Sequence, residues 1–182
     1  FISSSDTVSD VDLNKLSKCC IRIISRENKG YDFYSWKTGL QEYPQHNAHR
    51  ALLLANDSVI GPLFNFKDIR ARLENHDADC IGMTSGLQFN PHLQSYFLYC
   101  KKPVVVSEEF IGFFDRVEAL GLKKTLIRKY EVGFSRLLGR RFNLSALYPL
   151  ESVLNRTQYV ERPKRWIEPT FHLWKPLVTE LK

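Results

Sequence analysis

Four polar clusters in this chain have residue types and placements suited to chemistry on a phosphorylated or hydroxylated ligand. The first, Asn56-Asp57-Ser58, follows the apolar run Ala51 to Ala55 and precedes the turn Gly61-Pro62. A strand of an open sheet would deliver these three residues at its carboxyl end, where ligands of such sheets bind. There Asp57 could hold a divalent cation, Mg2+ or Mn2+, bridging diphosphate oxygens. The same residues would equally make a turn in which Asn56 and Asp57 satisfy backbone groups. The second cluster lies in residues 26–33, where Gly30 permits close backbone approach and Asn28 and Asp32 offer hydrogen bonds to a base, ribose or sugar. Its simpler reading is a helix start, with Asp32 favouring the positive end of a helix over Tyr31 to Leu40. The third, His92, Gln94 and Ser95, precedes the run Tyr96 to Cys100, and a lone histidine of this kind is more often structural. The fourth is Glu131, at the margin of an apolar helical face. Burial there would suit a general base acting on a sugar hydroxyl, although glutamates at such margins are more often idle.

These residues need a scaffold, and the apolar pattern supplies one. Strands are expected at Ile21 to Ser25, Ala51 to Ala55, Cys80 to Met83 and Tyr96 to Cys100. Helical spacing joins Phe66, Ile69 and Leu73. A longer stripe of Phe110, Phe113, Phe114, Val117 and Leu120 begins after Ser107, a capping residue followed by Glu108 and Glu109, and stops at Gly121. Its aromatics are core rather than a binding platform. Leu126, Ile127, Tyr130, Phe134, Leu137 and Leu138 form another apolar face, backed by basic residues. Alternation of short apolar runs with helical stretches points to an α/β fold, an open sheet with flanking helices. Residues 1–150 are expected to form one domain. Residues 151–182, interrupted at Pro163, Pro169 and Pro176, are expected to pack on it as an extended tail.

Composition narrows the class. Of 182 residues, 43% are hydrophobic and 13% aromatic, enough for one sizeable core. No apolar run nears the roughly 20 residues that cross a bilayer. Cys19, Cys20, Cys80 and Cys100 lack the paired spacing of a zinc site and read as reduced, mostly packed thiols in a cytoplasmic protein. Lys and Arg outnumber Asp and Glu by 26 to 20, clustered at Lys123-Lys124, Arg128-Lys129, Arg140-Arg141 and Arg162 to Arg165. That suits phosphate groups or an anionic membrane surface, or else a solvated face. No nucleic-acid recognition motif accompanies these clusters, so nucleic acid is not expected as a partner.

The segments Asn28-Lys29-Gly30-Tyr31-Asp32-Phe33, Asn56-Asp57-Ser58-Val59-Ile60-Gly61-Pro62-Leu63, Gly82-Met83-Thr84, His92-Leu93-Gln94-Ser95-Tyr96-Phe97, Tyr130-Glu131-Val132-Gly133-Phe134-Ser135 and Glu168-Pro169-Thr170-Phe171-His172-Leu173-Trp174 resemble the rhamnan synthesis F family. The resemblance spans nearly the whole chain. It implies rhamnose transfer from a nucleoside-diphosphate donor, dTDP-rhamnose, to a lipid-linked glycan during cell-surface polysaccharide assembly, at the inner face of the plasma membrane. The order of elements is also similar to the GT-A glycosyltransferase fold. Asn28-Lys29-Gly30 stands at that fold's Asn-x-Gly, Asn56-Asp57-Ser58 at its Asp-x-Asp with only the middle acid kept, and Glu131-Val132 at its Glu-Asp pair with one acid kept. The resemblance thus implies donor binding by Asn28, Gly30, Asp32, Asn56, Asp57 and Ser58, and a metal on Asp57. It further implies acceptor binding by His92, Gln94 and Ser95, and Glu131 as the base of an inverting transfer. It also implies that a first β-α unit precedes Phe1. The alternative is a non-catalytic glycan- or partner-binding module on the same fold, suggested by the incomplete acidic triplet.

Overall fold

A computed structural model describes residues 1–62 and 65–149; the expected tail lies outside them. In chain order the elements are β1 (Ile2–Ser3), α1 (Asp10–Ser17), β2 (Ile24–Ser25), α2 (Tyr31–Glu42), a 3-10 turn (Pro44–Ala48), β3 (Ala51–Ala55), α3 (Phe66–Glu74), β4 (Cys80–Gly86), β5 (His92–Leu93) and β6 (Phe97–Lys101). Then come α4 (Lys102–Val105), α5 (Glu108–Asp115), α6 (Lys123–Leu126), a π-helical turn (Ile127–Val132), α7 (Gly133–Leu138) and β7 (Leu144–Tyr148).

The fold is mixed α/β. β1 and β2 pair in parallel around α1, and the other strands form a second, five-stranded sheet. β3 pairs antiparallel with β6, and β6 with the first half of β4 (Cys80 to Gly82). β5 pairs antiparallel with Ser85 and Gly86 at the far end of β4, and β7 runs parallel to β4 along its other edge. Short links around β5 permit only antiparallel neighbours, whereas the helices between β6 and β7 allow the parallel return.

Strand alternation sends side chains to two cores. Leu52 and Leu54 of β3, Cys80 of β4, Leu98 and Cys100 of β6 and Ala146 of β7 meet α2, α5 and α7 on one face. Ile81, Met83, Phe97, Tyr99 and Leu147 meet Ile69 and Leu73 of α3 on the other. The larger core is aromatic, with Phe33 at 4.9 Å from Trp36, 5.6 Å from Tyr130 and 5.9 Å from Phe113, ring centre to ring centre.

Several expectations need revision at the ends of elements. β2 keeps only Ile24 and Ser25 of the expected Ile21 to Ser25, and Ile21 is exposed. Phe66 opens α3 but faces solvent. α5 starts where expected, with Ser107 Oγ accepting from Phe110 N, yet ends at Asp115. Lys37 Nζ donates to the carbonyls of Asp115 and Val117 there, so the chain leaves the helix with Val117 still buried. Of the cysteines, Cys80 and Cys100 are packed, whereas Cys19 is exposed.

The π-helical turn has a cause legible in the spacing. Leu126, Tyr130, Phe134 and Leu138 recur every four residues, too widely for an α-helix of 3.6 residues per turn to keep on one stripe. A turn with i→i+5 hydrogen bonds takes up the excess. All four side chains are consequently buried. No helix among the described residues is long and apolar enough to cross a membrane.

A candidate donor and carboxylate site at the end of the sheet

β3 delivers Asn56 and Asp57 at its carboxyl end, as the apolar run predicts. The Asn56 backbone N–H continues the ladder by donating to Tyr96 O at 3.2 Å. Its side chain is committed on both sides: Nδ2 donates to Asp32 Oδ2 at 2.8 Å, and Oδ1 accepts from Ser58 N at 3.0 Å. Asp32 stands in the first turn of α2. The same helix is tied to β3 a turn later, where Trp36 Nε1 donates to Ala55 O at 3.3 Å. Asp32, Trp36, Asn56 and Asp57 line a cleft of about 580 Å³ that also reaches Tyr43 and His46. That volume is within the range of small-molecule sites.

Burial holds the Asp32 carboxyl above the usual carboxylate range, and the charges of Asp57 and Glu131 push the same way; Asn56 and Arg26 oppose them. Three carboxylates therefore share one electrostatic neighbourhood. A group whose folded value is raised contributes stability below its ordinary value of 3.8 and loses it as pH rises through the folded value. Asp32→Asn keeps an acceptor for Asn56 and removes the charge. Its Tm is expected to exceed wild type at pH 7, with the gap closing below pH 3.8; an equal gap at both pH values would contradict the burial argument.

Asn28 and Gly30 face a different cleft, of about 430 Å³, shared with Ala119, Leu120 and Gly121. The loop is built around Arg26, whose guanidinium donates to the carbonyls of Glu27, Lys29 and Tyr31 and to Ser35 Oγ. Gly30 (φ 73°), which precedes α2, and Tyr31 (φ 54°), which opens it, both take the left-handed conformation. A Cβ on Gly30 would lie 2.7 Å from Tyr34 Cβ and 2.8 Å from Ala119 Cα. Gly30→Ala should accordingly cost about 1–3 kcal/mol in denaturant unfolding. A loss under about 0.5 kcal/mol would show that the loop relaxes freely.

The third and fourth clusters meet. Ser95 Oγ donates to Glu131 Oε1 at 2.6 Å, and His92 Nε2 lies 3.4 Å from Glu131 Oε2. The Asn90 carbonyl, 2.7 Å from His92 Nδ1, can only accept, so Nδ1 carries a proton. Nε2 then turns a lone pair toward Glu131 while the ring is neutral. The His92 side chain is 2% exposed and that of Glu131 20%, so the carboxylate alone of the pair keeps an open edge. Ser135, one turn beyond Glu131, accepts from Leu93 N at 3.0 Å and pins β5 to α7. Gln94 is engaged elsewhere: Thr84 Oγ1 donates to its Oε1 at 2.5 Å and also contacts Tyr96 Oη at 2.8 Å.

Among the described residues no three His, Cys, Asp or Glu side chains gather as a metal cage. Asp57 is a single carboxylate, and the Asn56 Oδ1 beside it already accepts from Ser58 N, keeping one lone pair. That donor set fits Mg2+ or Mn2+ only as an ion arriving with diphosphate oxygens, since Mg2+ accepts one or two carboxylates beside phosphate and water.

Sequence reasoning missed Arg26 as the organiser of its loop, Trp36 as the tie between α2 and β3, and the meeting of His92 with Glu131. The first two lie within or beside quoted motifs, and only the third lacked a local signal.

Comparison with known proteins places these residues in a lineage. Residues 1–172 match the profile described as "Rhamnan synthesis protein F". The uncharacterized protein y4gN of Sinorhizobium fredii is 31% identical over 168 residues, 88% of this chain and 43% of that protein. The virulence protein VirA of Vibrio anguillarum is 32% identical over 164 residues, 86% of this chain and 49% of that protein. The chain thus spans less than half the length of these relatives. No solved structure matches it. With the profile covering nearly the whole chain, and the quoted motifs inside that match, the protein belongs to the rhamnan synthesis protein F family.

Proposed function

We propose that the protein is an inverting glycosyltransferase of GT-A-like architecture, acting in rhamnan or related polysaccharide synthesis with a nucleoside-diphosphate sugar, dTDP-rhamnose, as donor and a lipid-linked glycan as acceptor. The observation that carries this reading is the placement of Asp32, Asn56 and Asp57 in the wall of a cleft of about 580 Å³ at the carboxyl end of β3, close enough to Glu131 for its charge to act on Asp32. In it the cleft holds the nucleoside. Asp57, at its rim, faces the diphosphate, and Asp32 is kept in place by Asn56. A bound Mg2+ or Mn2+ would supply positive charge to the departing diphosphate, with Asp57 as its protein ligand.

Glu131 is the base. Its Oε1 is fixed by Ser95, leaving the open edge of the carboxylate to take the proton of an acceptor hydroxyl. The hydroxyl oxygen forms the new bond to the anomeric carbon from the face opposite the diphosphate. The old carbon–oxygen bond breaks with its electron pair leaving on the diphosphate, and configuration inverts. Aligning the groups and removing the proton are separate contributions, each worth orders of magnitude in rate.

One observation favours the second reading, a non-catalytic glycan- or partner-binding module: the Asn56-Asp57-Ser58 triplet offers a metal one carboxylate only, and Asn56 Oδ1 already accepts from Ser58 N. The readings part on turnover. Incubation with dTDP-rhamnose and a lipid-linked rhamnan acceptor is expected to release dTDP, with a new linkage of inverted anomeric configuration by NMR. Absence of dTDP release together with retained glycan binding would favour the module.

A further inference from the structure

The helix that bears Glu131 carries a second feature on a different face. Phe89, Asn90, Lys124, Arg128, Lys129 and Arg136 line an open cleft of about 530 Å³ with no carboxylate in its wall. Lys129 is partly neutralised by Glu118 at 3.0 Å. Lys124, Arg128 and Arg136 have no acidic partner among the described residues.

The placement of the two arginines follows from the π-helical turn. In an unbroken α-helix, advancing about 100° per residue, residues eight apart would diverge by about 80°. The wider turn advances each residue by less, so Arg128, Val132 and Arg136 line the same cleft. Arg128 lies over the Phe89 ring, 5.5 Å from its centroid. Phe89 itself is held at φ 67° and is exposed. A guanidinium held over an aromatic face keeps its N–H groups available for the bidentate geometry that phosphate oxygens favour.

From this we infer that the cleft is an anion site for a phosphate ester or diphosphate, separate from the cleft that ends at Asp57. The inference rests on the transferase reading only for its use: a phosphorylated substrate would be anchored on one face of the helix while Glu131 works on the other. The chemistry required is the same whether the phosphate is borne by a lipid or by a soluble ester.

Calorimetric titration with sodium pyrophosphate at low salt, on wild type and on the double variant Arg128→Gln/Arg136→Gln, tests the site. Saturable binding that weakens at least tenfold in the double variant is expected. Both residues are exposed, so the fold should survive, and circular dichroism checks this. Arg128→Lys, which keeps the charge but loses the fork, should weaken binding less than Arg128→Gln. Sedimentation with neutral phosphatidylcholine vesicles carrying a polyprenyl phosphate separates the sources. Arginine-dependent sedimentation identifies a lipid-borne phosphate, and pyrophosphate binding without sedimentation a soluble one; either supports the site. Lack of saturable pyrophosphate binding, or affinity unchanged in the double variant, would overturn it. Asp57→Ala should leave pyrophosphate binding here intact, so failure of the donor-site reading and failure of this one are separately visible.

Discussion

Replacing Glu131 by glutamine is expected to lower sugar transfer roughly 10²- to 10⁴-fold while leaving Tm and nucleotide binding close to wild type. Glutamine retains an oxygen for the Ser95 hydroxyl and matches glutamate in shape, so the contact that holds the side chain is preserved. What disappears is the capacity to take a proton. The loss corresponds to about 3–5 kcal/mol of barrier, and it should fall on kcat more than on KM, because the proton moves only in the chemical step. A variant with full activity would remove Glu131 from the mechanism. One that also lost nucleotide binding would assign it to donor binding instead.

The second large effect concerns what holds that carboxylate in place. Phe33→Ala should destabilise the fold by about 3–5 kcal/mol. Phe33 is 1% exposed and packs against Trp36, Phe113, Phe114, Tyr130 and Phe134. Its ring thereby joins α2, which bears Asp32, to the helix that bears Glu131. Domains of this size have only about 5–15 kcal/mol in hand, so the urea midpoint should fall steeply. Phe66→Ala, at an exposed helix start, should cost less than about 1 kcal/mol. Equal losses at the two positions would mean that the aromatic cluster does not organise the core.

How much of this could be read in advance depended on the range of the interaction. The run Ala51 to Ala55 became β3 with the expected ends, because an apolar stretch bounded by Asn-Asp-Ser leaves the strand few other registers. Asp57 therefore fell where the pattern put it. α5 began after Ser107 for a local reason, the hydroxyl cap, but ended early for a distant one, since Lys37 captures the carbonyl of its last residue, Asp115, and that of Val117 just beyond. Asp32 and Asn56 are 24 residues apart, and Ser95 and Glu131 are 36 apart. No spacing rule links such pairs, and the helical margin on which Glu131 was singled out gave no hint of His92. Four-residue spacing from Leu126 to Leu138 did carry a signal for the π-helical turn. Read as an ordinary amphipathic helix, it conceals the separate faces presented by Glu131 and by Arg128.

Metal-dependent binding of the nucleotide tests the central claim most directly, by calorimetric titration of dTDP with and without Mn2+ on wild type and on Asp57→Ala. The transferase account predicts saturable binding that strengthens with Mn2+ in the wild type and loses that dependence in the variant. Absence of dTDP binding with and without Mn2+, in a protein that remains folded, would contradict it and leave the binding module as the function of this fold.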